Sequence, residues 1–495
     1  MKSTAKTRET GPKSLLIATC VLLILSAVDA NAQFKDDSKT TQGGTLTIGT
    51  QFLTNINKVR GNLPFWLQAD RNGLYHPYSA NGLLTARFYQ PIVSGEQFSI
   101  YTSGMLADRA AGRSWAGLPF LSATVNIGVL QIRGGRFSDP LGTNYHPLSS
   151  GSLLYSTNAL PVPKILIKTN GFVDIPGTYD HLQFSAYLSH GWLETSRYAK
   201  NAYLHQKYLY LKINYQPVEI IGGIIHNVQW GGKSPDFGKL PASFNDYLRV
   251  FFNQNADPNS NAPDNEIMNT IGNVVAGYDF NLRLNLDRTT LSFYRLFYLE
   301  ASTQIRSIWD GMWGAAYISK KSNPFLNAFV YEFIDTKSGN VHDSVPRGAA
   351  NYYNNGIYES GWTYMNRVLG NPLMLSNGSN QYPIYNNIII AHHLAAQGFI
   401  QPSLQWKAYY TFSRNYGRNI DQIVPGTIWG WNPLRADLYP LNTLKKNNHS
   451  LYLSTTFTPP SHNQFQFELG VAADWGELYT SDRLGIMLGA SYRVY

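Results

Sequence analysis

From Gln464 to the C-terminal Tyr495 the chain alternates between apolar and polar side chains. Phe465, Phe467, Leu469, Val471 and Ala473 occupy every second position, and Gln464, Gln466, Glu468, Gly470 and Asp474 fill the places between. After a loop from Trp475 to Asp482, Leu484, Ile486, Leu488, Ala490, Tyr492 and Val494 alternate with Gly485, Met487, Gly489, Ser491 and Arg493. Successive side chains of a strand leave opposite faces, so each segment has one greasy face and one wet face. The runs are longer than an ordinary globular strand and suit tilted strands crossing a bilayer, with lipid outside and water within. A last hairpin of a soluble β-sandwich is the competing reading, and the rest of the chain has to decide.

The N-terminus points the same way. Lys2, Lys6, Arg8 and Lys13 precede an apolar run from Leu15 to Val28, and Ala30-Asn31-Ala32 follows, which reads as a secretory signal peptide cut after Ala32. Cys20 is the only cysteine and lies inside the apolar run, so the mature chain is expected to carry no disulfide and no thiolate ligand. Beyond the signal no apolar run approaches the roughly 20 residues of a spanning helix. Charged residues make up 14% of the chain and aromatics another 14%, too little charge for an ordinary soluble surface. The formal charge of +9 leaves a modestly basic protein once the signal is gone. No basic helix or basic run suggests nucleic acid, and anionic polysaccharide or lipopolysaccharide is the better partner.

Strand-like segments continue throughout. They fall at Thr45–Leu53, Leu83–Gln90, Gln97–Gly104, Leu121–Ile127, Val129–Gly135, Lys164–Phe172, His181–Ser189, His205–Tyr215 and Val218–Val228. The remainder fall at Val274–Leu286, Thr290–Tyr298, Asp310–Ser319, Leu326–Ile334, Asn387–Ala395, Pro402–Ser413, Ser450–Thr458, Gln464–Asp474 and Arg483–Tyr495. With Tyr495 set in the periplasm, every connection assigned to that side is short and rich in Pro, Gly, Asn or Asp. The long connections, Thr54–Gly82, Arg136–Pro163, Gln229–Asn273, Asp335–Asn386 and Arg414–His449, all fall on the other side. A sandwich has no reason to sort loop lengths by parity. The expected fold is therefore all-β: a transmembrane antiparallel β-barrel of about 18 strands, with long extracellular loops and short periplasmic turns. Residues 1–32 would be the signal, 33–44 a periplasmic lead-in and 45–495 the barrel, placed in the outer membrane of a Gram-negative-type bacterium with both termini periplasmic. The terminal aromatic resembles the signal read by the barrel assembly machinery, an expected partner in biogenesis alongside outer-membrane lipid.

Several segments carry a family resemblance. The run Tyr203 to Leu211, followed by His226-Asn227-Val228-Gln229-Trp230-Gly231-Gly232, resembles the Wzi family of outer-membrane capsule assembly proteins, in which a QWGG segment follows a strand. Leu63-Pro64-Phe65-Trp66-Leu67, Ser149 to Leu153 leading to Asn158 to Pro163, Asp310 to Gly314, Asn351-Tyr352-Tyr353 and Gly361 to Tyr364 fit the same pattern in order. The resemblance implies an eighteen-stranded outer-membrane barrel that acts as a lectin for capsular or related exopolysaccharide. It also implies small periplasmic helices, for which this sequence shows no convincing amphipathic segment.

Sugar rings stack on aromatic faces and their hydroxyls pair with Asn, Gln, Asp and Arg, so the external aromatics are the candidate glycan contacts. These are Trp230, Tyr352, Tyr353, Trp362, Tyr364, Trp429, Trp431 and Arg435; the same residue types also pack loops into barrel mouths, and Gly231-Gly232 suits a loop-folding role for QWGG. For an enzyme, Ser150 and Ser152 lack a His in fixed order, and Asp236, Asp246, Glu332 and Glu359 are carboxylates that sequence alone does not bring together. His392 and His393 point to opposite faces and cannot chelate one metal, while His205 and His226 read as satisfied lumenal histidines. The expectation is a non-enzymatic barrel without metal or cofactor that tethers surface polysaccharide. A pore for small solutes or sugars is the alternative, and a barrel hydrolase is a third reading.

Overall fold

The computed structural model describes residues 43–57, 62–143, 147–300, 308–337, 351–418 and 445–494. The signal segment, the lead-in as far as residue 42 and the terminal Tyr495 lie outside the described residues.

Eighteen antiparallel strands form the wall: β1 (Thr45–Asn55), β2 (Asn81–Val93), β3 (Phe98–Ala110), β4 (Trp115–Ile127), β5 (Leu130–Arg136), β6 (Pro163–Thr169), β7 (Leu182–Trp192), β8 (Tyr203–Tyr215) and β9 (Val218–Trp230). The circuit continues through β10 (Asn273–Asn285), β11 (Thr289–Leu299), β12 (Gly311–Ser319), β13 (Ala328–Asp335), β14 (Ile389–Gln401), β15 (Leu404–Asn415), β16 (Lys446–Phe457), β17 (Phe465–Gly476) and β18 (Arg483–Arg493). The two-residue strand Val173–Asp174 prolongs β6 along the same partner, β7. β1 pairs with β2 on one side and with β18 on the other, so the sheet closes and has no free edge.

Each strand foreseen from the alternation overlaps one of these, and the sorting of short and long connections by parity holds. The strands reach further than expected at the long-loop rim. β3 runs to Ala110 and β4 starts at Trp115, which leaves only residues 111–114 between them, where the sequence reading had a longer connection. Backbone hydrogen bonding continues there past the point where the hydrophobic alternation fades.

The two faces of the wall are as different as the sequence requires. Phe465, Phe467, Leu469 and Val471 of β17 face outward beside Leu484, Leu488 and Tyr492 of β18, with Phe465 opposite Tyr492 and Leu469 opposite Leu488. Leu209, Leu211, Ile213, Ile220, Ile224, Phe280, Leu282 and Phe293 continue the exposed apolar belt around the other side. Trp192 and Trp475 stand near the long-loop end of this belt, and Tyr215, Phe465 and Tyr492 near the short-turn end, as interface girdles do.

Candidate functional site

The described parts of three long connections, within residues 56–80, 137–162 and 336–388, fold into the long-loop end of the barrel. Their apolar side chains share one buried cluster with inward residues of the wall: Leu63, Trp66, Leu67, Leu148, Leu153, Leu154, Tyr352, Tyr353, Trp362 and Met374 pack with Tyr187, Tyr210, Val275 and Met312. Buried carboxylates on the inner wall grip each of the first two loops. Asp474 of β17 accepts from the Phe65 N–H at 2.8 Å, at the start of the short helix α1 (Phe65–Gln68). Asp279 of β10 accepts from the Thr143 N–H (2.6 Å) and hydroxyl (3.0 Å) and from the Tyr210 hydroxyl (2.7 Å). Glu332 of β13 takes the hydroxyls of Ser149 (2.5 Å), Ser150 (2.5 Å) and Tyr294 (2.8 Å) and the Ser150 N–H (2.8 Å). A buried carboxylate holding several donors is an expensive group well satisfied, and it fixes the loop that satisfies it.

The plug is also tied to itself. The Trp362 Nε1 donates to the Leu154 carbonyl (2.8 Å), Asn371 Nδ2 to the Gly151 carbonyl (2.6 Å), and the Tyr353 hydroxyl to the Leu153 carbonyl. Two buried carboxylates feel the dry interior: burial pushes Asp70 of the plug up to about 6 against its bonds from Thr157, and Glu300, just past β11, up to about 7 against its bonds from Tyr353 and Tyr298. Below the plug, toward the short-turn rim, a polar cavity of about 700 Å³ is lined by Gln51, Arg87, Gln405, Gln466, Glu468 and Arg493 among others.

The fourth long connection, residues 231–272, takes another course. Gln229 and Trp230 end β9 on opposite faces. Gln229 points inward, donating to the Gly361 carbonyl of the plug (3.1 Å) and accepting from Asn273 (3.1 Å). Trp230 points outward and is buried under the helix α2 (Phe244–Phe251), in a second apolar cluster with Val228, Val250, Ala256, Ala262 and Ile271. Gly231 and Gly232 follow with φ of +64° and +88°, and a Cβ on Gly232 would meet the Lys200 carbonyl at 2.6 Å, so only glycine makes this turn. From Phe244 on, the loop therefore doubles back over the outside of the wall, while Leu240 joins the buried cluster of the plug and Glu266 lies beside the Tyr358 hydroxyl of the plug. His205 and His226 are corrected with it: they share the outward row with Leu209 and Ile224 and are covered by this loop, not lumenal. His226 Nε2 meets Asn253 at 3.1 Å, whereas neither ring nitrogen of His205 has a hydrogen-bond partner among the described residues. The helix α2, capped by a reciprocal Ser243–Asp246 box, is amphipathic and lies on the long-loop side, not the periplasmic side where the resemblance implies helices.

Of the candidate glycan contacts, Trp230, Tyr352, Tyr353, Trp362 and Tyr364 are all buried, the last four inside the plug. Tyr352 donates its hydroxyl to Asp310, and Tyr364 accepts from Arg136 at 3.4 Å. Packing claims their ring faces. Trp429, Trp431 and Arg435 lie outside the described residues. The groups considered for catalysis are spread apart in role: Ser150 is bound to Glu332, Asp246 caps α2, Asp236 accepts from the Tyr198 hydroxyl (2.5 Å), and Glu359 accepts from Gln381 (2.8 Å). His393 is buried between Thr411 (2.8 Å) and the Leu148 carbonyl (2.9 Å), while His392 faces outward to the Tyr331 hydroxyl (2.9 Å). Among the described residues no group of three or more His, Cys, Asp or Glu is placed to hold a metal ion.

What the long-loop face does expose is a cationic and aromatic patch that sequence reasoning missed. Tyr78 is 57% exposed and Tyr385 39%. Around them, Arg109 donates to the carbonyls of Leu74 (3.0 Å) and Arg113 (3.1 Å), and Arg367 to the Tyr75 carbonyl (2.7 Å) and the Gln68 side chain (3.4 Å). Arg113 is exposed. None of the three arginines pairs with a carboxylate among the described residues. Partial burial, and then the charges of Arg109, Arg367 and Arg113, hold His76 below the ordinary histidine range. Burial brings Arg367 down to about 10. The arginines are far apart in sequence, so no run of basic residues announced them.

A family model for capsule assembly protein Wzi matches residues 71–377. In three dimensions the chain is similar to Wzi of Escherichia coli, described as an outer membrane protein involved in group 1 capsule assembly and a carbohydrate-binding β-barrel. The TM-score is 0.56 at 13% identity, covering 98% of this chain and 89% of that one. It is also similar to OccK5 (OpdH) of Pseudomonas aeruginosa, with a TM-score of 0.47 at 10% identity, covering 91% of this chain and 97% of that one. At such identities the likeness is one of fold. No curated protein matches the chain.

Proposed function

Because the chain belongs to the capsule assembly protein Wzi family, we propose that it is an outer-membrane barrel that holds capsular or related exopolysaccharide at the cell surface. The long-loop rim faces outward, both termini face the periplasm, and the signal peptide is removed after Ala32. The observation that carries the reading is the patch formed by exposed Tyr78, Tyr385 and Arg113 with half-buried Arg109 and Arg367 on a rim closed by a packed plug. Arginines that pair with no carboxylate among the described residues suit the carboxylates of an acidic polysaccharide, and a tyrosine face beside them takes a sugar ring. The barrel assembly machinery and outer-membrane lipid are its partners in biogenesis and residence.

The alternative is a pore, and the polar cavity of about 700 Å³ beneath the plug favours it as far as it goes. Above that cavity the lumen is filled by Leu67, Trp66 and Tyr75, each buried. A continuous water path would have to displace them.

The test is binding of the purified protein to its host's own exopolysaccharide, alongside a neutral glucan. The intact chain is expected to bind the acidic polymer, and the combined Arg109→Gln, Arg113→Gln and Arg367→Gln variant to bind at least tenfold more weakly, with the difference shrinking as salt rises. Absence of binding to any surface glycan, or unchanged affinity in the triple variant, overturns the reading of this patch.

A further inference from the structure

The outer surface of β8 and β9 holds a feature that glycan binding does not use. Down the outward row of β8 run Tyr203, His205, Lys207, Leu209, Leu211, Ile213 and Tyr215. The lower members, from Leu209 to Tyr215, are exposed as a lipid-facing row should be, and the upper ones lie under residues 231–272. The Tyr247 and Phe251 rings of α2 pack on His205 at 5.5 and 5.8 Å, Tyr247 also packs on Trp230 at 5.8 Å, and Lys207 donates to the Phe251 carbonyl with its ammonium 4.2 Å from the Phe251 ring.

Height along the wall fixes where the helix sits. Tyr215 and His205 are ten residues apart in one strand. At about 3.3 Å per residue and a tilt of about 40°, that is roughly 25 Å, the height of the apolar band of such barrels. The helix therefore lies at the outer edge of the band. Its inward side is used, since Tyr247, Val250 and Phe251 face the wall. A second side is apolar and bare: Phe244, Leu248 and Phe252, spaced i, i+4 and i+8, are 73%, 38% and 64% exposed. Met268, in the neighbouring short helix α3 (Asp264–Met268), is 72% exposed. Asn245 and Arg249 form the polar stripe beside them. Large apolar side chains bared at one edge of a helix, next to a polar stripe and level with the top of a lipid belt, are the composition of an interfacial helix.

We propose that residues 244–272 are a membrane-interface shelf, with Phe244, Leu248 and Phe252 set among the acyl chains of the outer leaflet. The occupant is lipid because the bare edge continues the exposed row of Leu209, Leu211 and Ile224 that the wall already presents outward. The inference rests on the membrane reading of the barrel and goes beyond glycan binding: the protein grips the leaflet laterally, outside its own strands, on one sector of its circumference.

The test uses the mature chain, from which Cys20 has left with the signal peptide, in lipid nanodiscs, with single spin-labelled cysteines at Phe244→Cys, Phe252→Cys, Leu209→Cys and Ser379→Cys. Collisions with oxygen, which concentrates in lipid, are compared with collisions with a water-soluble nickel chelate. Labels at 244, 252 and 209 are expected to favour oxygen several-fold, and the label at 379, on the exposed cap of the plug, to favour the chelate. If 209 reports lipid while 244 and 252 report water, the shelf is refuted and the barrel reading stands. If 209 also reports water, both fall. Dipolar broadening between 244 labels on two molecules assigns the edge to a second copy and refutes the lipid proposal. Phe244→Trp, which keeps the bulk and the fold, must retain the protection of residues 244–272 from hydrogen exchange. Loss of that protection in the cysteine variants alone marks them as misfolded, and bromolipid quenching of the emission from the tryptophan introduced by Phe244→Trp then decides, with its absence refuting the shelf.

Discussion

The wall of this barrel carries folded loops on both of its faces, and they are built on opposite terms. Inside, the loops within residues 56–80, 137–162 and 336–388 form one packed body whose polar groups the wall answers with Asp279, Glu332 and Asp474. Outside, residues 244–272 rest on aromatic contacts around Trp230, His205 and Tyr247 and keep an apolar edge bare. The plug is thus a protein core that happens to lie in a lumen, stabilised as any core is. The shelf is a partial core completed by whatever lies beside the barrel. Two adjacent residues divide the labour, with Gln229 fastening the plug and Trp230 fastening the shelf.

The largest expected effect comes from removing one aromatic anchor on each side. Trp362→Ala should cost the plug about 3–5 kcal/mol and Trp230→Ala should cost the shelf a comparable amount. Hydrogen exchange should then rise in residues 351–388 for the first and in 244–256, under which Trp230 lies, for the second, with little crossover. Exchange rising in both regions for either variant would break the separation between them.

A smaller effect is one of pH and separates the regions differently. Burial raises Glu266, in the shelf, to about 7 from an ordinary 4.5, against the Gly272 N–H that it accepts at 3.0 Å and the Tyr358 hydroxyl of the plug beside it. A carboxyl raised in the fold binds its proton more tightly there than in the unfolded chain, so its contribution is complete below pH 4.5 and fades as pH rises through 7. The shelf should loosen by up to about 3 kcal/mol between those limits, and Glu266→Gln should flatten the dependence. Exchange rates of residues 244–272, corrected for intrinsic pH dependence, provide the measurement; a shelf that tightens with rising pH contradicts the assignment. The smallest effect belongs to Gln229→Ala, which loses two hydrogen bonds to the plug loop and β10 and should cost about 1–2 kcal/mol. Its increase in exchange should appear around Gly361 while Tyr247 and Phe251 stay protected.

The barrel itself was legible because its information is local and periodic. Phe465 to Ala473 and Leu182 to Leu188 state which face is greasy, and loop parity states which end is which. The loops were not legible, because an aromatic such as Tyr352 or Trp362 looks the same in sequence whether it meets sugar or fills a lumen. What decides is the partner, Asp310 or the Leu154 carbonyl, and those partners lie far away in the chain. The outward fold of residues 244–272 did leave a trace. Lys207 interrupts the greasy row of β8, and Arg295 that of β11, where it lies between Phe297 (4.0 Å) and Trp313 (4.6 Å) and donates to the Ile308 carbonyl (2.9 Å). A cation in a lipid-facing row has to be covered by something, and in both cases a loop covers it. The arginine patch had no local signature, since Arg109, Arg113 and Arg367 are gathered only by folding.

Ion conductance of the purified protein in a planar lipid bilayer tests most directly whether packed loops close this barrel. The arrangement of Trp66, Leu67, Tyr75 and Trp362 above the polar cavity predicts a bilayer that shows the protein inserted, by protease protection of the strands, yet a flat current trace. Steady ohmic channels from the unaltered chain would contradict it, and would transfer the protein from the tethers to the pores.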